Sequence, residues 1–312
     1  MSTESLRAFD VAVMGAGVAG LTAAKVAAQA GLSVMVIERM GAGGQVMTVE
    51  HVANFPAYPE GISGYDLGPL LQEAAEDAGA AFMLDEVESL QASDAGYTLS
   101  CTSETVWARA VILACGSRRR ALGVPGETEL AGKGVSHCAS CDGPLFQGDA
   151  VLVVGGGDSG LSEALVLSRF ASEVLVVFRE KQPIAQAYLV DAVTQQANIK
   201  LLASTELTEI TGDAAGVTGV VLRGDNGLTS VRVRGVFPYA GLQADTGFLG
   251  SMLNLNAQGQ IETDDQLRTS LPGVFAAGDV RSGTNWRLSS VAEDGETAVR
   301  SALAYLRAAS PS

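Results

Sequence analysis

The residues best suited to chemistry are His137-Cys138-Ala-Ser-Cys141-Asp142. Two cysteines with two residues between them can close into a disulfide that one thiolate attacks and the other resolves. The same spacing forms half of a zinc site, but Cys101 and Cys115 are isolated and supply no second pair. The spacing therefore favours a redox-active dithiol over zinc, and no metal is expected. Asp142, directly after the second cysteine, can ferry the proton that a departing thiolate needs, or it can cap a turn. His137 has a weaker claim, because nothing in the spacing fixes its direction.

The elements that must position these residues repeat one plan. The apolar run Val11–Met14 leads into Gly15-Ala16-Gly17-Val18-Ala19-Gly20, a small-residue helix, and Val34–Ile37 ending at Glu38. The run Val151–Val154 leads into Gly155-Gly-Gly157-Asp-Ser-Gly160, a helix rich in Ala and Leu, and Val174–Val177. Each reads as a βαβ unit with strands buried on both faces. The glycines serve a tight turn, close approach to a pyrophosphate and close helix–sheet packing. One GxGxxG is a weak signal, but two at strand–helix junctions, about 140 residues apart, are a specific one. Alternating stretches at Gly96–Thr102 and Val217–Arg223 predict antiparallel strands. Val111–Gly116 and Gly273–Asp279 predict buried strands that end at a glycine or polar turn. The fold class expected is α/β, with two doubly wound Rossmann-like nucleotide-binding domains in a three-layer ββα arrangement.

Composition agrees. The chain has 312 residues, enough for two cores, and its 47% hydrophobic content excludes disorder. With 35 acidic against 20 basic residues the net charge is −15, which disfavours nucleic acid and anionic membranes as partners. The N-terminus lacks a signal-peptide pattern, and the most apolar region, Val11–Ile37, is broken by glycines and Lys25. A cytoplasmic compartment without a membrane is expected, where a close cysteine pair suggests chemistry rather than a staple.

Six motifs, Gly15–Gly20, Gly43-Gly44-Gln45, Val52-Ala-Asn54-Phe-Pro56, Cys138–Asp142, Gly155–Gly160 and Phe275–Asp279, occur in the order found in low-molecular-weight thioredoxin reductases, which the chain resembles over nearly its whole length. Cys138–Gly148 is also similar to the flavoprotein subunit of alkyl hydroperoxide reductase. The resemblance implies FAD, held by a discontinuous domain of residues 1–117 and 245–312, with residues 118–244 forming the second nucleotide-binding-like domain that carries the dithiol. It implies that Gly15, Ala16, Gly17, Val18, Ala19 and Gly20 meet the pyrophosphate, and that Glu38, with Arg39 beside it, takes the adenosine ribose. It places Gly44, Gln45 and Asn54 along the flavin ring and Asp279 on the ribityl chain. Val87, Ala114, Gly116, Arg287 and Leu288 complete the implied cofactor set. It also implies that Cys141 lies nearer the flavin while Cys138 exchanges with substrate, and that the protein is a homodimer. Two positions depart from the family: Cys115 replaces Thr, and reads as a packed core residue, and Leu288 replaces Gln.

A larger departure lies in the second glycine fold. NADPH-using relatives follow the second strand with His-Arg-Arg-x-x-x-Arg, whose cations hold the 2′-phosphate. Here the residues are Phe178, Arg179 and Glu180, with Ile184 at the last position. One cation survives and an acid stands beside it, which opposes NADPH on Coulomb grounds, while Phe178 offers NADH no ribose acceptor. The reading that follows is an NADPH-independent dithiol oxidase, in which a small-molecule dithiol reduces FAD and oxygen reoxidises it. The alternative is a reductase passing electrons from NAD(P)H or another donor to the disulfide of a thioredoxin-like protein. A flavin-loaded redox sensor ranks third.

Overall fold

Strands form where Val, Ile and Leu run together, and they end where glycine supplies the turn. In a computed structural model of the chain, residues 7–52 and 55–309 are described, and the candidate Asn54 falls outside them. Two compact units result, Met1–Arg118 with Gln243–Ser312, and Arg119–Leu242.

The first unit opens with β1 (Arg7–Met14), α1 (Val18–Gln29) and β2 (Val34–Glu38), then α2 (Gly64–Asp77), β3 (Ala81–Leu84), β4 (Val87–Ser93), β5 (Gly96–Cys101) and β6 (Thr105–Leu113). The sheet runs β3-β2-β1-β6-β5-β4, parallel through β6 and antiparallel in β5 and β4. In β1 the side chains alternate between two cores. Val11 and Val13 pack with Ala23, Ala24 and Ala27 of α1, whereas Ala12 and Met14 pack with Leu99 and Leu113. Burial on both faces explains the continuous apolar run.

A short strand β7 (Ser117–Arg119) leads out of this unit. The second unit contains α3 (Ala139–Asp142), β8 (Ala150–Val154), α4 (Asp158–Leu167), β9 (Glu173–Val177), α5 (Ala187–Thr194), β10 (Ile199–Leu202), β11 (Glu206–Asp213), β12 (Gly216–Gly224), β13 (Gly227–Val231) and β14 (Gly235–Pro238). Its parallel sheet, β10-β9-β8-β14, lies between the helices and an antiparallel β11-β12-β13 meander. Val151 and Val153 face the helices, and Leu152 faces the meander, the same period-two division as in β1. The chain returns through β15 (Leu242–Ala244), β16 (Val274–Ala276), which pairs parallel with β6, and α6 (Leu288–Ala308). Each unit is thus an α/β fold around a parallel sheet, and the second has three layers. Among the described residues no helix is long and apolar enough to cross a membrane.

Candidate functional site

The dithiol motif folds into a single tight turn. Cys138 and Cys141 are joined as a disulfide with their Cα atoms 5.3 Å apart. Cys138 is half-buried and Cys141 exposed. The Cys141 amide donates to the Cys138 sulfur at 3.2 Å, a contact that favours negative charge there once the disulfide opens. Asp142 does not cap the turn that follows it. Its carboxylate instead accepts the buried Ser136 hydroxyl at 2.5 Å, and the same hydroxyl accepts the Cys138 amide at 3.2 Å. The acid is thereby tethered to the backbone of the cysteine it would serve. From α4, Glu163 accepts the Ala139 amide at 3.0 Å; burial, and then the Glu163 charge, raise the Tyr239 phenol far above its usual range. His137 is exposed, with Nδ1 3.4 Å from the Pro238 carbonyl. A cavity of about 480 Å³ opens here, lined among others by Arg119, Glu127, Ser136, His137, Cys138 and Asp142.

The other two cysteines lie elsewhere. Cys115 points at the Asp245 carbonyl, 3.4 Å away, and burial pushes its thiol up to about 12. Burial likewise pushes Cys101 up to about 11. Both pack against the first unit's core and stay protonated at neutral pH.

In the first glycine turn, Gly15 adopts φ +102°, and a Cβ there would strike the Ala114 carbonyl. A Cβ on Gly20 would strike the Gly15 carbonyl. Gly17 caps α1 with no side-chain bond and has open space around it, so the first amides of α1, from Val18 to Gly20, face room for an anion. Gly44 approaches so closely that a Cβ on it would lie 3.3 Å from the Gly17 Cα. Glu38 accepts the Ala16 amide at 2.8 Å on one oxygen and the Met40 amide at 2.9 Å on the other, which leaves lone pairs for ribose hydroxyls. Arg39 is held by Asp245 at 3.1 Å and Glu86 at 3.5 Å. Gln45 donates to the Ser117 carbonyl at 2.7 Å, just past Ala114 and Gly116. Val87 begins β4, half-buried. Arg287 is exposed at the start of α6, and Leu288 packs with Val18 in a small apolar cluster.

Asp279 carries an unmet demand. Its Oδ1 is buried with no hydrogen-bond partner among the described residues, and burial raises its pKa above the usual carboxylate value, against hydrogen bonds from Ser117 and Thr284. A buried acceptor without a donor calls for a ligand hydroxyl. The uncapped helix start, the Cβ-free cradle and this acceptor together fit FAD.

The second glycine turn is different. Gly157 caps α4 without a side-chain bond, but Phe178 is buried against the turn, where a Cβ on Gly156 would lie 2.8 Å from its ring. Arg179 pairs with Glu206 at 2.6 Å, and Ile184 is exposed. Asp158 accepts both the amide and the side-chain nitrogen of Gln186. Arg179, at the second position of the motif, is thus already shared with Glu206.

Ser136 was missed in the sequence although it stands two residues before Cys138. Glu163, 24 residues from the amide it holds, leaves no local signal.

The sequence profile of the pyridine nucleotide-disulphide oxidoreductase family matches residues 9–302. A thioredoxin reductase of Listeria monocytogenes is 36% identical over 308 residues, covering 98% of this chain and 96% of its own. The crystal structure of Lactococcus lactis thioredoxin reductase superimposes with a TM-score of 0.92 at 31% identity, covering 96% of this chain and 99% of the other. That of T. acidophilum thioredoxin reductase gives 0.90 at 35% identity, covering 97% and 100%.

Proposed function

Because the chain belongs to the pyridine nucleotide-disulphide oxidoreductase family, as a thioredoxin reductase-like, FAD-dependent disulfide oxidoreductase, we propose that it reduces the disulfide of a thioredoxin-like protein. The observation that carries this reading is the Cys138–Cys141 disulfide with Asp142 tethered beside it through Ser136. The dithiol oxidase expected from the sequence is not carried forward, because the relatives bear the reductase name over nearly the full chain.

Bound FAD supplies the store from which two electrons reach the dithiol. In the reduced state Cys138, facing the Cys141 amide, attacks the partner's disulfide and forms a mixed disulfide, expelling one partner sulfur as thiolate. Asp142 delivers the proton that this sulfur takes up. Cys141 then attacks Cys138, restores the internal disulfide and releases the partner as a dithiol. Gly15 to Gly20, Glu38 and Asp279 would hold the cofactor in the unit 1–118 with 243–312, and the unit 119–242 would carry the dithiol. Phe178, the Arg179–Glu206 pair and Glu180 favour a donor other than NADPH. The homodimer belongs to this proposal on the resemblance alone, and the cytoplasmic compartment on the reading of the sequence.

The test is covalent trapping. A reduced Cys141→Ser variant, mixed with a single-cysteine thioredoxin activated by thionitrobenzoate, should form a stable mixed disulfide through Cys138. No adduct, with thionitrobenzoate still bound to thioredoxin, would overturn the reading.

A further inference from the structure

Asp279 holds its position with few strong contacts of its own. Oδ1 is buried and partnerless among the described residues, and Oδ2 receives the Ser117 hydroxyl at 3.4 Å. The backbone around it is gripped much harder. Asp294, buried early in α6, accepts the Gly278 amide at 2.9 Å. It also accepts Arg281 through two bonds of 2.7 Å, one to each carboxylate oxygen, while Arg281 donates to the Ser282 carbonyl at 2.9 Å. These bonds hold residues on both sides of Asp279.

The same group refers that turn to α1. Gly278 sits at φ +78°, where a Cβ would lie 3.0 Å from Ala19, and a Cβ on Gly295 would lie 3.1 Å from the Ala23 amide. Asp294 therefore stands between a helix contact on α1, whose first amides face the anion space, and the turn that presents Asp279.

We propose that the Arg281–Asp294 pair is a positioning clamp for FAD, which fixes the Asp279 carboxylate relative to the start of α1. A buried ion pair is weak evidence for stability, since replacing both partners with apolar residues is often neutral or better. What apolar residues cannot reproduce is the grip on Gly278 and Ser282. Loss of Arg281 alone would also leave the Asp294 charge facing Asp279 uncompensated, and Ser117 and Thr284 are the remaining groups that bond Asp279.

The experiment measures FAD affinity of the apoprotein by flavin fluorescence, and its melting temperature separately. In the double variant Arg281→Met/Asp294→Leu the melting temperature should stay near that of the parent. The FAD dissociation constant should rise about tenfold or more, the effect of losing one charge-assisted hydrogen bond. An unchanged dissociation constant would overturn the clamp. Should the double variant lose stability, Arg281→Lys decides, because it keeps the charge and loses the two-pronged geometry. A tenfold weaker FAD affinity then supports the clamp, and parental affinity overturns it.

Discussion

Rebuilding the phosphate clamp of the second glycine fold should convert the protein into a strong NADP binder. The perturbation is Glu180→Arg with Ile184→Arg. Arg179 is 77% exposed and already paired with Glu206 at 2.6 Å. Exposed pairs are worth only about 0.2–1 kcal/mol, so Arg179 can turn to a phosphate at small cost. The greater deficit is the acid at 180 and the apolar side chain at 184. A 2′-phosphate carries about two negative charges. Removing the Glu180 charge from its vicinity relieves about 1 kcal/mol in a watery setting. Each new arginine adds one charge-assisted hydrogen bond, about 1.5 kcal/mol at the exposed end of the range. The sum, about 4 kcal/mol before salt screening, corresponds to NADP binding between about 10² and 10³ times tighter. NAD, which lacks the phosphate, should bind unchanged. The assay is calorimetric titration of parent and variant with both nucleotides at low and high salt. Parental affinity for NADP equal to that of the variant would show that the Coulomb reasoning at Arg179 and Glu180 is wrong.

Other consequences are as direct. Asp142→Asn should slow reduction of thioredoxin by about 10²–10⁴-fold with FAD content intact, measured as thiol release under steady state, because the general acid is lost while the fold is kept. Gly20→Ala places a methyl group against the Gly15 carbonyl, so the variant should be isolated colourless and fail to take up added FAD. At pH 8, iodoacetamide should label Cys138 and Cys141 in the reduced native protein and spare Cys101 and Cys115, as peptide mass spectrometry would show, since only thiolates react. Cys115 keeps its proton in the native state up to about 12 but loses it near 9.0 when unfolded, so its contribution to stability is present below pH 9 and falls away as pH rises beyond it. Cys115→Ala should therefore flatten the loss of urea resistance between pH 9 and 11.

What could be read from the sequence was whatever depends on neighbours along the chain. Each glycine turn announces itself because strand, turn and helix are contiguous, and Glu38 stands at the end of the strand that follows. The CxxC pair and Asp142 are contiguous too. Arg281 and Asp294 leave no signal in the sequence because their bonds join a turn to a helix 13 residues on, and one acid within Glu293-Asp294-Gly295-Glu296 looks like any surface residue. Phe178 was visible as a missing polar group, but its burial against Gly156 needed the folded strand order to appear. Arg179 read as a surviving cation, whereas folding brings Glu206 from β11 to neutralise it. These departures point toward an oxidase, whereas relatives that cover nearly the full chain bear the name thioredoxin reductase. The second fold's departures bear on the donor, and the dithiol turn bears on the substrate.

The central claim, that the Cys138–Cys141 pair hands electrons to a protein disulfide, is tested most directly in a single turnover. Holoenzyme reduced anaerobically with one equivalent of dithionite is mixed with oxidised thioredoxin, and flavin absorbance and thioredoxin thiols are followed together. Reoxidation of the flavin with two new thioredoxin thiols per flavin is expected, and neither change in the Cys138→Ser variant. A flavin that stays reduced until oxygen is admitted, with thioredoxin still oxidised, would contradict it.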